Sequence, residues 1–190
     1  WISVVLALLV KEDVALIVIP IGLWVALRRD VRRGLWTVVL SIATMALMFL
    51  VVMRSFTGVA FRNSWRIPFG GFSGLFQVAF RQPQELWKYF TSEDRPTYLL
   101  HLLSPTALAF VFAPSVALTG SVVIGANLLS TFWYQHQIGY HYSLVIVPSL
   151  MFGTAYGIAR VPGAYRKRMV GAVAVCSLAF GYWLSPLPAA

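Results

Sequence analysis

One cysteine, Cys176, and six acidic residues are all that a 190-residue chain offers of those types. A lone thiol inside an apolar run excludes an internal disulfide and any Cys-based metal site. Polar sequence is scarce as well. Hydrophobic residues make up 59% and charged residues 11%, which excludes an ordinary soluble domain and predicts an integral membrane protein. There is no Walker loop, no GxGxxG after a strand, no GxSxG and no internal repeat. No charged n-region or small-residue cleavage site marks a signal peptide. The chain opens on Trp1, mid-hydrophobic, as a piece of a longer protein cut within a membrane helix would.

What is present is a series of apolar runs with arginine clusters between some of them. Residues 11–33 (KEDVALIVIPIGLWVALRRDVRR) carry acids at one end and Arg28, Arg29, Arg32 and Arg33 at the other. Basic residues in short loops stay on the cytoplasmic side, so this run enters from outside. Placing Lys11, Glu12 and Asp13 mid-bilayer would cost roughly 8 to 10 kcal/mol on the insertion scale, so they are expected at the outer surface. Net charge +9 would otherwise suggest nucleic acid. Eight of the fifteen cations, however, sit in two clusters beside apolar runs, at Arg28–Arg33 and at Arg160, Arg166, Lys167 and Arg168. That pattern predicts topology rather than a nucleic-acid partner.

The expected fold is all-α, a polytopic transmembrane bundle of about six to seven crossings in one domain over residues 1–190. Residues 1–10 end a truncated crossing. Residues 14–27 descend, 35–53 ascend, 98–112 descend, 115–129 ascend, 143–158 descend and 169–184 ascend. The segments 98–112 and 115–129 are short, and so are read either as tilted crossings or as a hairpin that stops before the far surface. Residues 54–97, rich in Pro, Gly and aromatics, form an extracytoplasmic loop whose segments 74–80 and 84–90 are expected to lie in the interface. Ser92-Glu93-Asp94 before Arg95-Pro96 predicts a capped helix start. Gly153 and Gly157 form a GxxxG whose default role is helix packing.

With this topology the outer face collects Glu12, Asp13, Glu85, Glu93, Asp94 and all three histidines, whereas the inner face holds the arginine clusters and Asp30. Proton-transfer or metal chemistry is therefore expected outside. Glu12 and Asp13 point about 100° apart on a helix. They either favour a helix N-terminus through its dipole or orient a substrate hydroxyl, a divalent cation or a catalytic base. His136 and His141, five apart around Gly139, do not have helical zinc spacing and suit an interfacial aromatic belt. His101 shares a helical face with Tyr98 and suits helix packing equally. Arg62, Arg66, Lys88 and Arg95 are of the type that grips phosphate, whether of a substrate or of ordinary lipid headgroups.

The strings KEDVALIVIPIGLWVALRRDVRRG, RPTYLLHLLSPTALAFVFAP, and NLLS followed by IGYHYSLVIVPSLMFG occur in this order. Together they resemble the bacterial membrane-protein family of unknown function numbered 2079, over residues 11–157. That family resembles, distantly, the GT-C glycosyltransferases, which take a sugar from a polyprenyl-phosphate donor on the outer face of the cytoplasmic membrane. The resemblance implies a multi-pass enzyme working beside membrane lipid. It implies catalytic roles for Glu12, Asp13 and His141, and substrate binding by Lys11, Arg95, Tyr98, His101 and Tyr142. The usual GT-C acid lies in an earlier outer loop. The mechanism implied is displacement at the anomeric carbon, a carboxylate deprotonating the acceptor while cations stabilise the leaving phosphate. The alternatives are a transporter, which should carry ionisable groups or broken helices near the midplane, and a non-catalytic membrane assembly subunit.

Overall fold

The structure, a computed structural model, describes residues 1–10, 14–61 and 63–184. Among these residues every regular element is helical. Helix α1 (Ile2–Val10) precedes α2 (Ala15–Arg28) and α3 (Val31–Leu47). Helix α3 continues through a π-turned segment, Met48–Met53, into α4 (Arg54–Thr57). The result is one 27-residue helix, Val31–Thr57, about 40 Å long at 1.5 Å per residue and sufficient to cross a bilayer. Only 11% of its most apolar stretch is buried, and Leu35, Val39, Ile42, Leu50 and Val51 face outward. That exposure is costly in water and suits lipid, and it distinguishes this helix from the core helix of a soluble protein. It stops at Gly58, whose φ of +75° is the left-handed helix end that glycine favours.

Small residues set the closest packing. Helices α2 and α3 are joined by a two-residue turn, and a Cβ at Gly34 would stand 2.3 Å from the Ala26 backbone. On the same face Thr37, Ser41 and Thr44 fold their hydroxyls onto carbonyls one turn back, so these three polar groups are paired within their own helix.

Helices α5 (Phe72–Arg81) and α6 (Pro83–Thr91) bury no side chain fully. Phe72, Phe76 and Phe80 repeat at i, i+4 and i+8 on an exposed face, the amphipathic stripe expected of helices lying in an interface.

Helix α7 (Arg95–Leu103) does not continue to residue 112 as the apolar run predicted. A 3₁₀ turn at Ser104–Thr106 is followed by Ala107 and Leu108, both left-handed at φ +46° and +56°, before a second 3₁₀ segment, Ala109–Phe112. Pro105 lacks the N–H that an α-helix needs there. The Pro105 carbonyl accepts from Ser177 Oγ at 2.7 Å. Gly157 lies so close to the Ala109 carbonyl that a Cβ would meet its oxygen at 2.0 Å, so the GxxxG does pack a helix, here against a broken one.

From Pro114 the chain is helical to Leu129, through α8 (Pro114–Ala117), a 3₁₀ turn and α9 (Ser121–Leu129). Helix α10 (Val147–Arg160) starts four residues later than expected, with Pro148 in its first turn. Helix α11 (Gly163–Trp183) begins earlier than expected and carries Arg166, Lys167 and Arg168 in its first two turns. Among the described helices, only Val31–Thr57 is long and apolar enough by itself to cross a membrane. The all-α class therefore stands, while six to seven crossings exceeds what the helix lengths establish. Breaks at Pro105 and Pro114 and the cations of α11 are the physical reasons.

Two ends can be told apart. Arg28, Arg29 and Arg160 line one small cavity with Ser115, and Arg160 Nη1 donates to the Phe112 carbonyl at 3.2 Å. Both arginine clusters and the turn at residues 112–114 thus share an end. The start of α7, the end of α9 and the loop of residues 130–146 share the other. Between them the buried core draws on Leu8, Ile17, Val18, Leu102, Val123, Ile146 and Leu150.

Candidate functional site

The end of α9 exposes backbone carbonyls that its own helix cannot pair, and the segment of residues 89–95 reaches across to take three in succession. Arg95 Nε donates to Leu128 O at 2.8 Å, Tyr89 Oη to Leu129 O at 3.0 Å, and Arg95 Nη2 to Ser130 O at 3.2 Å. A cation at a helix C-terminus also meets the negative end of its dipole. Arg95 is 1% exposed, lies 4.0 Å over the Tyr89 ring and places Nη1 2.6 Å from Glu93 Oε2. Burial pushes the Tyr89 phenol above its ordinary range, against the lowering field of Arg95.

Glu93 occupies a left-handed backbone conformation, φ +54°, unusual for a residue with a Cβ. Its side chain stays 59% exposed while Oε2 stands 3.5 Å from His136 Nε2. His136 is itself 1% exposed, and neither ring nitrogen closes a hydrogen bond. Burial lowers its pKa below 6.5 and Arg95 lowers it further, while Glu93, Asp94 and the nearby Asn127 carbonyl oppose the shift. The imidazole is therefore neutral near pH 7, beside a solvent-reaching carboxylate.

Asp94 precedes α7 as the sequence predicted, but its side chain does not cap the helix. It accepts instead from Trp133 Nε1 at 2.9 Å and Gln137 Nε2 at 2.8 Å, tying the loop to the helix start. Below it the Tyr98 hydroxyl, 1% exposed, accepts from Asn127 Nδ2 at 2.9 Å and Ser143 Oγ at 3.3 Å. Asn127 also donates to the Tyr142 carbonyl at 3.3 Å. Above it Arg66 spreads over the Phe132 and Trp65 rings.

A cavity of about 700 Å³ lies beside this network, between α7, α10 and α11. His101, Ile138, Thr154, Ile158, Ser177 and Phe180 are among the residues that line it. On α10 its lining runs from Val147 to Ile158, about 16 Å of helix. Thr154 Oγ1 is buried without a hydrogen-bond partner.

Over residues 1–189 the sequence matches a family described as "Predicted membrane protein (DUF2079)". The chain belongs to that family. No curated protein and no solved structure matches it. The DUF2079 family has no assigned function, so roles for its residues rest here on geometry, and no relative carries a glycosyltransferase activity to this chain.

Among the residues implicated by the sequence, Lys11, Glu12, Asp13 and Arg62 lie outside the described residues. Arg95, Tyr98 and Tyr142 come together around Asn127 and the end of α9. His141 is exposed and stacks on Tyr142, centroids 4.4 Å apart. His101 belongs to the apolar cavity, edge-on to Trp183 at 5.2 Å. Arg95 directs its donors at carbonyls and Glu93 and is closed to solvent, which is the geometry of a structural clamp. Among the described residues no three His, Cys, Asp or Glu side chains converge as a metal site. No local pattern in the sequence joins Glu93 to His136, 43 positions apart, or marks Asn127 as their neighbour. An amide within the apolar run SVVIGANLL was the one signal available for Asn127.

Proposed function

We propose that this chain is the membrane-embedded part of a multi-pass protein of the cytoplasmic membrane, with both arginine clusters inside, that handles a lipid-linked substrate at the outer face. The observation that carries this reading is the 700 Å³ cavity, which starts beneath the polar network at Ile138 and His101 and continues along α10. Its size lies within the range of ligand sites. Its largely apolar walls suit an isoprenoid or acyl chain. The substrate class in best accord with this shape is a polyprenyl-phosphate sugar, and the reaction is glycosyl transfer. In that reaction Glu12 or Asp13, or His141, would remove the acceptor proton, and Lys11 would face the leaving phosphate.

The test uses the full-length protein. Polyprenyl phosphate retained through purification is measured by mass spectrometry for the natural protein and for Ala155→Phe, which adds a ring at the exposed wall of the cavity. The expected outcome is retention by the first and loss in the second, with sugar transfer abolished in Glu12→Gln or Asp13→Asn. Equal retention by both proteins would sink the reading.

One observation favours a transporter instead. The helix break at Ala107 and Leu108 adjoins the same cavity through Thr106, and discontinuous helices line substrate sites in many transporters. Substrate movement across sealed vesicles, without sugar transfer, would select that reading.

A further inference from the structure

The arginine end contains a second cavity, of about 200 Å³, that topology alone does not require. It is lined by Trp24 and Arg28 from α2, Arg29 from the turn that follows, Ser115 and Val116 from α8, and Tyr156 and Arg160 from α10. Two segments distant in sequence thus bring three arginines to one small space, and a third, α8, adds Ser115. No carboxylate lines it, and the nearby Asp30 is paired with Arg33.

Two further features favour a negative occupant. The helical run Pro114–Leu129 begins here, and Ser115 in its first turn stands at the positive end of a sixteen-residue dipole. The Trp24 indole N–H is buried and has no hydrogen-bond partner, a costly state unless an acceptor completes it.

Arginines placed only to hold a loop in the cytoplasm need solvent, not convergence. We propose that this cavity binds a phosphate group, held by Arg28, Arg29 and Arg160 with the Trp24 N–H and the Ser115 hydroxyl as further donors. Guanidinium forks match phosphate oxygens, and the cavity's size fits a single tetrahedral anion. The phosphate belongs either to an anionic phospholipid headgroup or to a soluble phosphate compound.

The experiment places the full chain in nanodiscs at fixed ionic strength and follows the Trp24 indole N–H by ¹⁵N NMR, the signal being assigned by its absence in Trp24→Phe. In phosphatidylcholine discs the signal is titrated with inorganic phosphate. In a second arm phosphatidylglycerol replaces part of the phosphatidylcholine. Saturable movement with inorganic phosphate identifies a soluble source, and movement only with phosphatidylglycerol identifies a headgroup. In either case Arg160→Gln should weaken the response about tenfold or more, while Arg32→Gln, outside the cavity, leaves it unchanged. Should Arg160→Gln not fold, Trp24→Phe in the same discs, compared by native mass spectrometry for bound phosphate or phosphatidylglycerol, must show a lower occupancy. An unmoved signal in both arms, or equal weakening by Arg32→Gln, overturns the proposal.

Discussion

His136 illustrates how far a residue's role depends on its surroundings. As one of three histidines among aromatics it suits an interfacial belt, yet in the fold it is sealed at 1% exposure between Glu93, Arg95 and Asn127. Because its native pKa lies below 6.5, the unfolded chain takes up a proton at a higher pH than the folded one. Its contribution to stability is therefore complete above about pH 6.5 and is lost as pH falls through the native value. The unfolding midpoint in detergent should drop as pH falls below about 6.5, and His136→Gln should flatten that dependence. An identical pH profile for the two proteins would remove His136 as its source. Arg95 gives the complementary lesson. The sequence showed a cation in an outer segment, but its partners, Leu128 O and Ser130 O, lie 33 and 35 positions away, and no local pattern encodes that reach.

At the scale of elements, periodicity and composition located most helices, and covalent constraints moved their ends. The run of residues 98–112 is apolar throughout, so hydropathy joins what Pro105 and the left-handed pair Ala107 and Leu108 divide. The break is tolerated because Gly157 lets α10 approach the Ala109 carbonyl and Ser177 pairs the Pro105 carbonyl. Gly157→Ala should consequently cost about 1–3 kcal/mol through overpacking. Gly171→Ala, which meets nothing within 4 Å, should be neutral or stabilising by up to about 1 kcal/mol. Chemical unfolding in detergent compares the two, and equal effects would mean that the close approach at Gly157 does not hold α10 in place.

For the whole molecule, sidedness is the property on which the functional reading turns. Arg28, Arg29 and Arg160 share a cavity, and the acids Glu93 and Asp94 lie at the opposite end with Trp133 and His136, an arrangement in accord with positive-inside insertion. In a Cys176→Ser background, an impermeant maleimide applied to intact cells should label Tyr134→Cys at once and Lys167→Cys only after permeabilisation. Both positions are exposed, so equal labelling would contradict the orientation rather than report burial.

By itself the sequence determined the all-α class, the membrane setting and which charges gather at which end, because apolar runs and arginine clusters act through solvation, a property of local composition. Only the tertiary structure decided that Arg95 closes the end of α9, that His136 is buried beside Glu93, and that α7, α10 and α11 leave a largely apolar cavity between them. Those outcomes depend on which backbones approach one another, and hydrogen bonds and packing over tens of residues leave no periodic trace in the chain.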